Sequence, residues 1–404
     1  MKQQKMLWVF LSLFLVLIID AMGFSIVFPV VGSLFLQPDH GLLPNVNSMV
    51  MRDLFYGLSL ICFFVCMLFG APFFGDLSDR LGRKRVILIC LFGTGLAYLF
   101  GVVGVAISSV SLFLLGRCVA GFLAGSQSIA QAAIIDISTP ENKTTNLALI
   151  TLASCLGWAI GPLLGGIFSS DGYFAWATDS TPFLIAAGLA FVNFALLAIV
   201  FRETHQQGPA TQQLRLTKAL SLLKEACKQK QVLQVSIVFL CLQLAWGLYY
   251  QYISLHLIQE LSYGGFKIGL FNTYMGIIFT CTLSVIIRLM LKLFSENRLV
   301  QLAILLQGVG ILANYFVSGE LGYWLWLIPI VISVGASYTC VLSLYSSAVS
   351  AEHQGWVMGV SESVAALGWI IGSLLTTFAG LLPIGSIFIL AGVIALVALA
   401  FQKS

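Results

Sequence analysis

The sequence predicts an all-α membrane protein with twelve transmembrane helices in two pseudo-symmetric six-helix bundles. Of its 404 residues, 59% are hydrophobic and only 9% are charged, whereas a soluble domain carries about 25% charged residues. Apolar runs of the roughly 20 residues that a bilayer requires recur twelve times, six before and six after a polar break. The two sets of six also share an internal repeat, which indicates two homologous halves.

The first apolar run is too long for a signal-peptide core and has no small-residue cleavage site, so we interpret it as a retained helix. The polar break carries Gly208-Pro209 and five cations, and it predicts an N-terminal bundle at 1–202, a central linker at 203–230 and a C-terminal bundle at 231–404. Within the linker, 216–226 indicates either a surface helix or a flexible segment. The predicted helices are 7–36, 51–74, 86–107, 111–137, 146–168, 181–201, 232–258, 268–291, 299–317, 323–349, 355–379 and 383–401.

The internal repeat pairs the fifth predicted helix with the eleventh. Leu156-Gly157-Trp158-Ala159-Ile160-Gly161 matches Leu367-Gly368-Trp369-Ile370-Ile371-Gly372, and Glu141 aligns with Glu352 at the same offset. Lys and Arg fall almost entirely in the loops on one side of the predicted helices, and the opposite loops hold only Lys267. By the positive-inside rule, both termini are therefore expected in the cytoplasm.

The most concentrated charge lies in residues 75–85, between the second and third predicted helices. Four cations there require water, and two glycines suit a tight turn between helices. A solvated loop that only sets orientation would carry similar charge. The candidate gate residues are Gly75, Asp79, Arg80, Gly82 and Arg83, together with Asp136 at the end of the fourth predicted helix.

Three charged residues inside predicted helices are candidates for proton coupling. Asp20 lies about 14 residues, or ~21 Å, into the first helix, where an ionised carboxylate is costly unless it is paired, hydrated or protonated. We expect either a proton carrier or a structural ion pair. Arg117 lies ~10 Å from the opposite end of the fourth helix, at the same depth of a ~30 Å core, and is the expected partner. Glu362 is expected to be a second buried acid, in the eleventh helix.

A glycine-rich run in the fifth predicted helix comprises Gly157, Gly161, Pro162, Gly165 and Gly166. Small residues let membrane helices approach closely, and proline kinks a helix. Ordinary helix packing would explain this composition equally well.

Polar and aromatic side chains within the membrane runs are candidates for a substrate cavity. Gln243, Trp246 and Tyr250 share one face of the seventh helix, and aromatics with a few polar groups suit a lipophilic or cationic ligand. An interfacial aromatic belt would have the same composition. The other candidates, which could equally form hydrogen bonds between helices, are Gln127, Gln131, Asn272, Gln307 and Asn314.

These motifs resemble those of the major facilitator superfamily. The 75–85 run matches its signature loop, and Gly157–Gly166 resembles the motif of its drug:proton antiporters, of which the tetracycline efflux pumps are similar to this sequence. The resemblance implies the major facilitator fold, proton coupling through Arg117, a pairing of Arg83 with Asp136, and contact of Asp79 with the eleventh helix near Gly355. The tetracycline pumps carry an Asp in the third helix and another in the ninth. The corresponding positions here lie near Ala97 and Gln307, and neither acid is present, which argues against recognition of a tetracycline–metal complex.

The sequence therefore predicts a proton-coupled transporter that works by alternating access and exports a small amphipathic compound or drug. A proton-coupled importer of a metabolite or siderophore and a non-transporting receptor or scaffold are the alternatives. Without a Walker A sequence, a Ser/His/Asp set or metal-ligand spacing, we expect neither an enzyme nor a bound metal or cofactor. The expected partners are the small-molecule substrate, protons and the lipid bilayer, with no nucleic acid, for a monomer in the cell (inner) membrane.

Overall fold

The computed structural model describes residues 2–36, 42–43, 46, 48–138, 143–203, 216–350 and 353–402, and its regular elements are all helical. Three short non-α turns interrupt or extend helices: a π-helical segment at Thr282–Ile286 and 3₁₀ turns at Asn314–Phe316 and Ala379–Leu381. The α-helices are α1 (Lys2–Ser25), α2 (Phe28–Leu36), α3 (Met49–Leu81), α4 (Arg83–Ala106), α5 (Val110–Phe122), α6 (Ser126–Asp136), α7 (Lys143–Ile167), α8 (Thr181–Val200), α9 (Lys218–Ala226), α10 (Lys230–Leu261), α11 (Gly265–Cys281), α12 (Ile287–Leu293), α13 (Glu296–Ala313), α14 (Glu320–Ser347), α15 (Gln354–Thr377) and α16 (Ser386–Phe401).

Every predicted apolar run is occupied by one of these helices or by a consecutive pair. Eleven spans in the described part of the chain are long and apolar enough to cross a membrane. The last helix, α16, is also apolar but has 16 residues, or ~24 Å at 1.5 Å per residue. The predicted class, an all-α protein with membrane-length apolar helices, is confirmed for the described residues.

The predicted turn at 75–85 is wrong in its extent. Helix α3 continues through Gly75 and ends only at Leu81, and α4 begins at Arg83. A single residue, Gly82, changes the direction of the chain, with φ of +95°, a conformation that glycine adopts without steric cost. The charged run is therefore mostly helical, which fixes its side chains on defined faces.

Two predicted single helices are divided in the structure. The first breaks at residues 26–27, between α1 and α2, and the fourth breaks at 123–125, between α5 and α6. Each break ends a helix inside a membrane span, where freed backbone groups need partners from the protein. The second break places Ser126 at the first position of α6. The linker segment 216–226 contains the helix α9, which was one of the two predicted alternatives. Residues 204–215, Glu141 and Glu352 lie outside the described residues.

The described chain forms two compact units. The first comprises Met1–Pro44, Val65–Leu216 and Gly264–Gly276, and the second comprises Asn45–Phe64, Thr217–Tyr263 and Ile277–Ser404. The predicted boundaries at 1–202, 203–230 and 231–404 stay a prediction. In the first unit α1 packs along α7 and α4 along α8, and in the second α10 packs along α15 and α16.

Candidate functional site

The Asp20 carboxylate on α1 is bound by α6. The Ser126 hydroxyl donates to Asp20 Oδ2 at 2.6 Å. The expected pairing of Asp20 with Arg117 stays a prediction. Tyr98 on α4 lies within electrostatic range of both Asp20 and Arg117, so all three belong to one neighbourhood. No sequence pattern indicates Ser126, because its position depends on the break before α6.

A small cavity adjoins Asp20. Its volume is about 10 Å³, which is room for about one water molecule. Three polar residues line it beside Asp20: Thr94, Tyr98 and Asn193. Thr94 Oγ1 and Asn193 Oδ1 are buried and have no hydrogen-bond partner, and buried polar atoms normally have one. A single water in the cavity would supply a partner and hydrate the carboxylate.

The glycine-rich motif of α7 lies against the helix that carries Asp20. A methyl group on Gly157 would lie 2.6 Å from Ile18 O and 3.0 Å from Met22 N, and one on Gly161 would lie 2.8 Å from Met22 O. Gly165 faces the backbone of Ile26. The Ser25 hydroxyl donates to Gly157 O at 3.1 Å. Glycine at every fourth position thus brings α1 and α7 into backbone contact.

The remaining motif residues face α11. A methyl group on Gly166 would lie 3.0 Å from Gly265 O, and one on Gly269 would lie 2.6 Å from Pro162 O. All five motif residues therefore contribute to close helix packing, as the packing interpretation expected. Their part in antiport is a separate matter and stays a prediction.

Arg83 is the centre of the charged cluster at the beginning of α4. Its guanidinium pairs with Asp79 at 2.6 Å and with Asp136 at 3.2 Å, and it donates to Ser78 Oγ at 2.6 Å. The expected pairing of Arg83 with Asp136 is thus present in the structure. These contacts tie α4 to the ends of α3 and α6 within the first unit. The contact of Asp79 with the segment near Gly355 stays a prediction.

Two further gate candidates differ in their surroundings. Gly75 lies inside α3, and a methyl group there would meet no atom within 4 Å, so neither a turn nor close packing requires glycine. Arg80 is half-buried, and one of its guanidinium nitrogens is buried without a hydrogen-bond partner. Both positions stay predictions as gate residues.

Glu203, which the sequence did not single out, binds the beginning of α4. Its carboxylate accepts from the backbone N–H groups of Arg83 at 2.9 Å and Lys84 at 3.1 Å. A carboxylate there satisfies N–H groups that have no partner within the helix and complements the helix dipole. Lys84 Nζ in turn donates to Ala198 O at 2.8 Å, near the end of α8. Sequence reasoning missed this anchor because Glu203 is far from the charged run in the chain.

The cavity candidates of the first unit are partly engaged in packing. Gln127 donates to Ser154 Oγ at 2.9 Å, linking α6 to α7, and Gln131 is half-buried. Asn272 on α11 is 3% exposed, and both atoms of its amide group lack a partner. Asn272 is therefore the most available of these three for a ligand.

In the second unit, Gln307 and Asn314 form the hydrogen bonds between helices that were the alternative to cavity lining. Gln307 donates to Leu242 O at 3.2 Å and accepts from Ser337 at 3.2 Å. Asn314 donates to the Tyr249 hydroxyl at 3.0 Å.

The aromatic candidates on α10 form a cluster with α15. Trp246 lies 5.8 Å from Tyr250 between ring centroids, and Tyr250 lies 5.7 Å from Trp369. Gln243 is 7% exposed, and it lies where α10 meets Gly368 of α15. The predicted shared face of these residues is thus directed toward α15.

Glu362 lies on α15 between two buried serines. Its side chain is accessible, whereas Ser361 and Ser363 are 2% and 3% exposed, because residues one position apart on a helix point in different directions. Its place within the membrane and its part in proton coupling stay predictions.

The chain matches the Major Facilitator Superfamily over residues 13–373. It is 25% identical over 372 residues to the class C tetracycline resistance protein of Escherichia coli, covering 89% of this chain and 86% of that protein. It is 24% identical over 343 residues to the quinolone resistance protein NorA of Staphylococcus aureus, covering 83% and 84%. The crystal structure of the human organic anion transporter MFSD10 superposes with a TM-score of 0.73 at 19% identity, covering 98% and 99%.

Proposed function

The chain belongs to the Major Facilitator Superfamily, and we propose that it is a proton-coupled transporter that exports a small amphipathic compound in exchange for protons. That it is a transporter rather than an enzyme follows from the family. The observation that carries the proposal is Asp20, an acid within a membrane span that is bound by Ser126 and borders a water-sized cavity. An acid inside a membrane span marks a functional site by default.

Proton binding at Asp20 would change its hydrogen bonding. The ionised carboxylate accepts from Ser126 at 2.6 Å, whereas the protonated acid has a donor of its own. Arg117, 5% exposed in the same neighbourhood, is the proposed partner of the ionised carboxylate. Binding of a proton therefore weakens the hydrogen bond that Asp20 accepts from Ser126. Weakening of this contact between α1 and α6 is the proposed link between proton binding and transport.

The glycine face of α7 makes α1 and α7 move together. Their backbones are in contact at Gly157, Gly161 and Gly165, and packed interiors transmit displacement because they contain little free space. A change at Asp20 is therefore passed to α7 as a rigid displacement. In the proposal, this displacement contributes to alternating access.

The Arg83 cluster is the proposed cytoplasmic gate. Its ion pairs are partly exposed, with side-chain exposures of 11% for Arg83, 26% for Asp136 and 56% for Asp79. Partly exposed pairs contribute little stability, so they can break and re-form during a transport cycle. We further propose that both termini lie in the cytoplasm and that the chain is a monomer. A reporter fused to each terminus and the mass of the detergent-solubilised protein test these two statements.

Export of a drug-like compound is supported by the names of the relatives. Those names record resistance to tetracycline and to quinolones, and both proteins are aligned with more than four-fifths of this chain. The substrate class proposed here, a small amphipathic compound, is wider than either drug. Trp246 and Tyr250 on α10 are proposed apolar contacts of this compound in the second unit.

The test uses purified protein in liposomes that contain a pH-sensitive dye. A proton gradient is imposed, and candidate compounds are added one class at a time to wild type, Asp20→Asn and Asp179→Asn. Asp179 is the matched control, a buried acid that accepts from Ser170 outside the membrane spans. The proposal expects a compound that moves against the proton flow in wild type and Asp179→Asn but not in Asp20→Asn.

Other outcomes contradict particular parts of the proposal. Movement of the compound with the protons would make the chain an importer. Equal transport by Asp20→Asn would remove Asp20 as the proton site. The absence of any flux, with correct folding shown by a sharp melting transition, would support the receptor or scaffold alternative.

A further inference from the structure

A second buried acid, Asp53, lies at the beginning of α3. Its side chain is fully buried, with 0% exposure, and neither of its carboxylate oxygens has a hydrogen-bond partner. Buried ionised groups are normally paired or hydrogen-bonded, because an isolated buried charge is very costly. Asp53 is thus buried in surroundings that fit a neutral carboxyl group better than a charged one.

The position of Asp53 within the second unit is set by Tyr56. The Tyr56 hydroxyl donates to Gln251 O at 3.0 Å, which fixes this part of α3 against α10. Asp53 precedes Tyr56 by three residues, so the two share one helix face about 4.5 Å apart along the axis. Tyr252, next to Gln251, lies within electrostatic range of Asp53. The acid therefore faces the same stretch of α10.

The charged and titratable groups near Asp53 lie on α3 and α10. Arg52, its neighbour in sequence, donates from Nε to Val46 O at 2.8 Å. On α10, Tyr252 accepts from Gly385 N at 2.8 Å. His256 also lies on α10, and Glu260 at its end is an acid and adds negative charge.

The same stretch of α10 contains further polar atoms without partners. Both amide atoms of Gln251, which is 1% exposed, lack one, as does Nδ1 of His256. His256 Nε2 lies 2.8 Å from the hydroxyl oxygen of Tyr323 on α14. A packing interface satisfies its buried polar groups, so unsatisfied groups on both helices indicate a region that exchanges protons or water during function.

We propose that Asp53 is a proton-binding site of the second unit, which holds a proton while the beginning of α3 is packed against α10 and releases it when that contact opens to water. The proton adds to the carboxylate when the contact forms and leaves to solvent when it opens, with no other bond made or broken. The proposal goes beyond the function above, which assigns the exchanged proton to Asp20. It gives the chain two proton sites, one in each unit.

Infrared spectroscopy of the full-length protein in liposomes tests the proposal directly. A protonated carboxyl group has a C=O stretching band that is separate from the bands of carboxylates and amides. At pH 5, wild type is expected to show such a band, and Asp53→Asn is expected to lose the part that belongs to one group. Asparagine has nearly the shape of the protonated acid, so this variant is expected to fold.

Two control variants make the assignment specific. Asp179→Asn removes a buried acid that accepts two hydrogen bonds from Ser170, and it is expected to leave the band unchanged. Asp20→Asn shows how much of the band belongs to the acid of the first unit, because this variant removes that carboxyl group and leaves Asp53 in place. The proposal is overturned if the band is absent from wild type or is the same in Asp53→Asn. Because no substrate is present, the result is independent of the antiport assay.

Thermal unfolding as a function of pH is the second measurement. If the native protein holds a proton that the unfolded chain releases, the unfolding equilibrium constant rises up to tenfold for each pH unit above the ordinary carboxyl range. Wild type should therefore lose stability between about pH 4 and pH 6 more steeply than Asp53→Asn. Equal slopes in the two proteins would contradict the proposal.

Discussion

Replacement of Gly157 by alanine tests whether backbone contact between α1 and α7 supports the Asp20 site. The added methyl group would lie 2.6 Å from Ile18 O, so reaching an ordinary contact distance of 3.4 Å requires a displacement of about 0.8 Å. Backbone atoms cannot rotate away as a side chain can. Extra methyl groups in a packed core typically cost about 1–3 kcal/mol, and we expect Gly157→Ala to lose that much stability.

The same displacement acts on Asp20, which lies on α1 between Ile18 and Met22, the two residues whose backbone atoms meet Gly157. A shift of about 0.8 Å would disrupt the 2.6 Å hydrogen bond from Ser126 to Asp20. The transport rate should therefore fall by more than the loss of stability alone would explain. Melting of the purified protein and transport in liposomes measure the two effects.

Gly188→Ala is the matched control for Gly157→Ala. Gly188 lies on α8, where a methyl group would meet no atom within 4 Å, and alanine is favoured over glycine in helices by about 1 kcal/mol. The control is expected to be neutral or more stable, with unchanged transport. Equal melting temperatures for Gly157→Ala and Gly188→Ala would refute the argument that α1 and α7 are held by backbone contact.

Three further predictions concern residues outside the apolar spans or at their ends. Glu203→Ala removes the acceptor from the beginning of α4 and should cost about 1 kcal/mol; an unchanged melting temperature would show that water replaces it. Asp136→Asn removes one ion pair of Arg83 and should cost about 0.5–1 kcal/mol, with a smaller loss in high salt; a salt-independent loss would contradict this electrostatic origin. Burial, with a hydrogen bond to Glu320, raises the pKa of Tyr263 to about 12. An exposed tyrosine loses its proton near pH 10, so the contribution of Tyr263 to the free energy of unfolding is constant below pH ~10 and is lost toward pH 12. Tyr263→Phe should therefore have a lower melting temperature than wild type at neutral pH, and its melting temperature should fall less steeply above pH ~10.

The sequence predicted the helices well because their signal is local. A run of about 20 apolar residues can only be stable in a bilayer as a helix whose backbone groups are satisfied internally. The pairing of Arg83 with Asp136 was also expected, on the strength of a resemblance rather than of spacing. In both cases the information lies within a short segment or a motif.

The errors concern features that depend on contacts between distant segments. Ser126 reaches Asp20 only because the chain breaks just before α6, and hydropathy does not register a break of three residues. Glu203 binds α4 although about 120 residues separate it from Arg83. Hydropathy does not specify which face of a helix other helices cover, so the accessible position of Glu362 between two buried serines could not be predicted from its apolar run. Asp53 was passed over because it lies at the beginning of its run, where a charge is common.

The two copies of the internal repeat separate the roles of glycine and proline in the α7 motif. In the second unit, a methyl group on Gly368 of α15 would lie 2.9 Å from Leu244 N of α10, and one on Gly372 would lie 3.1 Å from Leu248 N. These two glycines therefore allow close packing of α10, as Gly157 and Gly161 of α7 allow close packing of α1. Where α7 has Pro162, however, α15 has Ser373, whose hydroxyl donates to a carbonyl of its own helix. Close packing of α1 against α7 and of α10 against α15 therefore requires the two glycines and not the proline. Pro162 lies on the other side of α7, where its carbonyl oxygen faces Gly269 of α11. If Pro162→Ser lowers the transport rate but leaves the melting temperature unchanged, the proline has a role in helix movement rather than in packing.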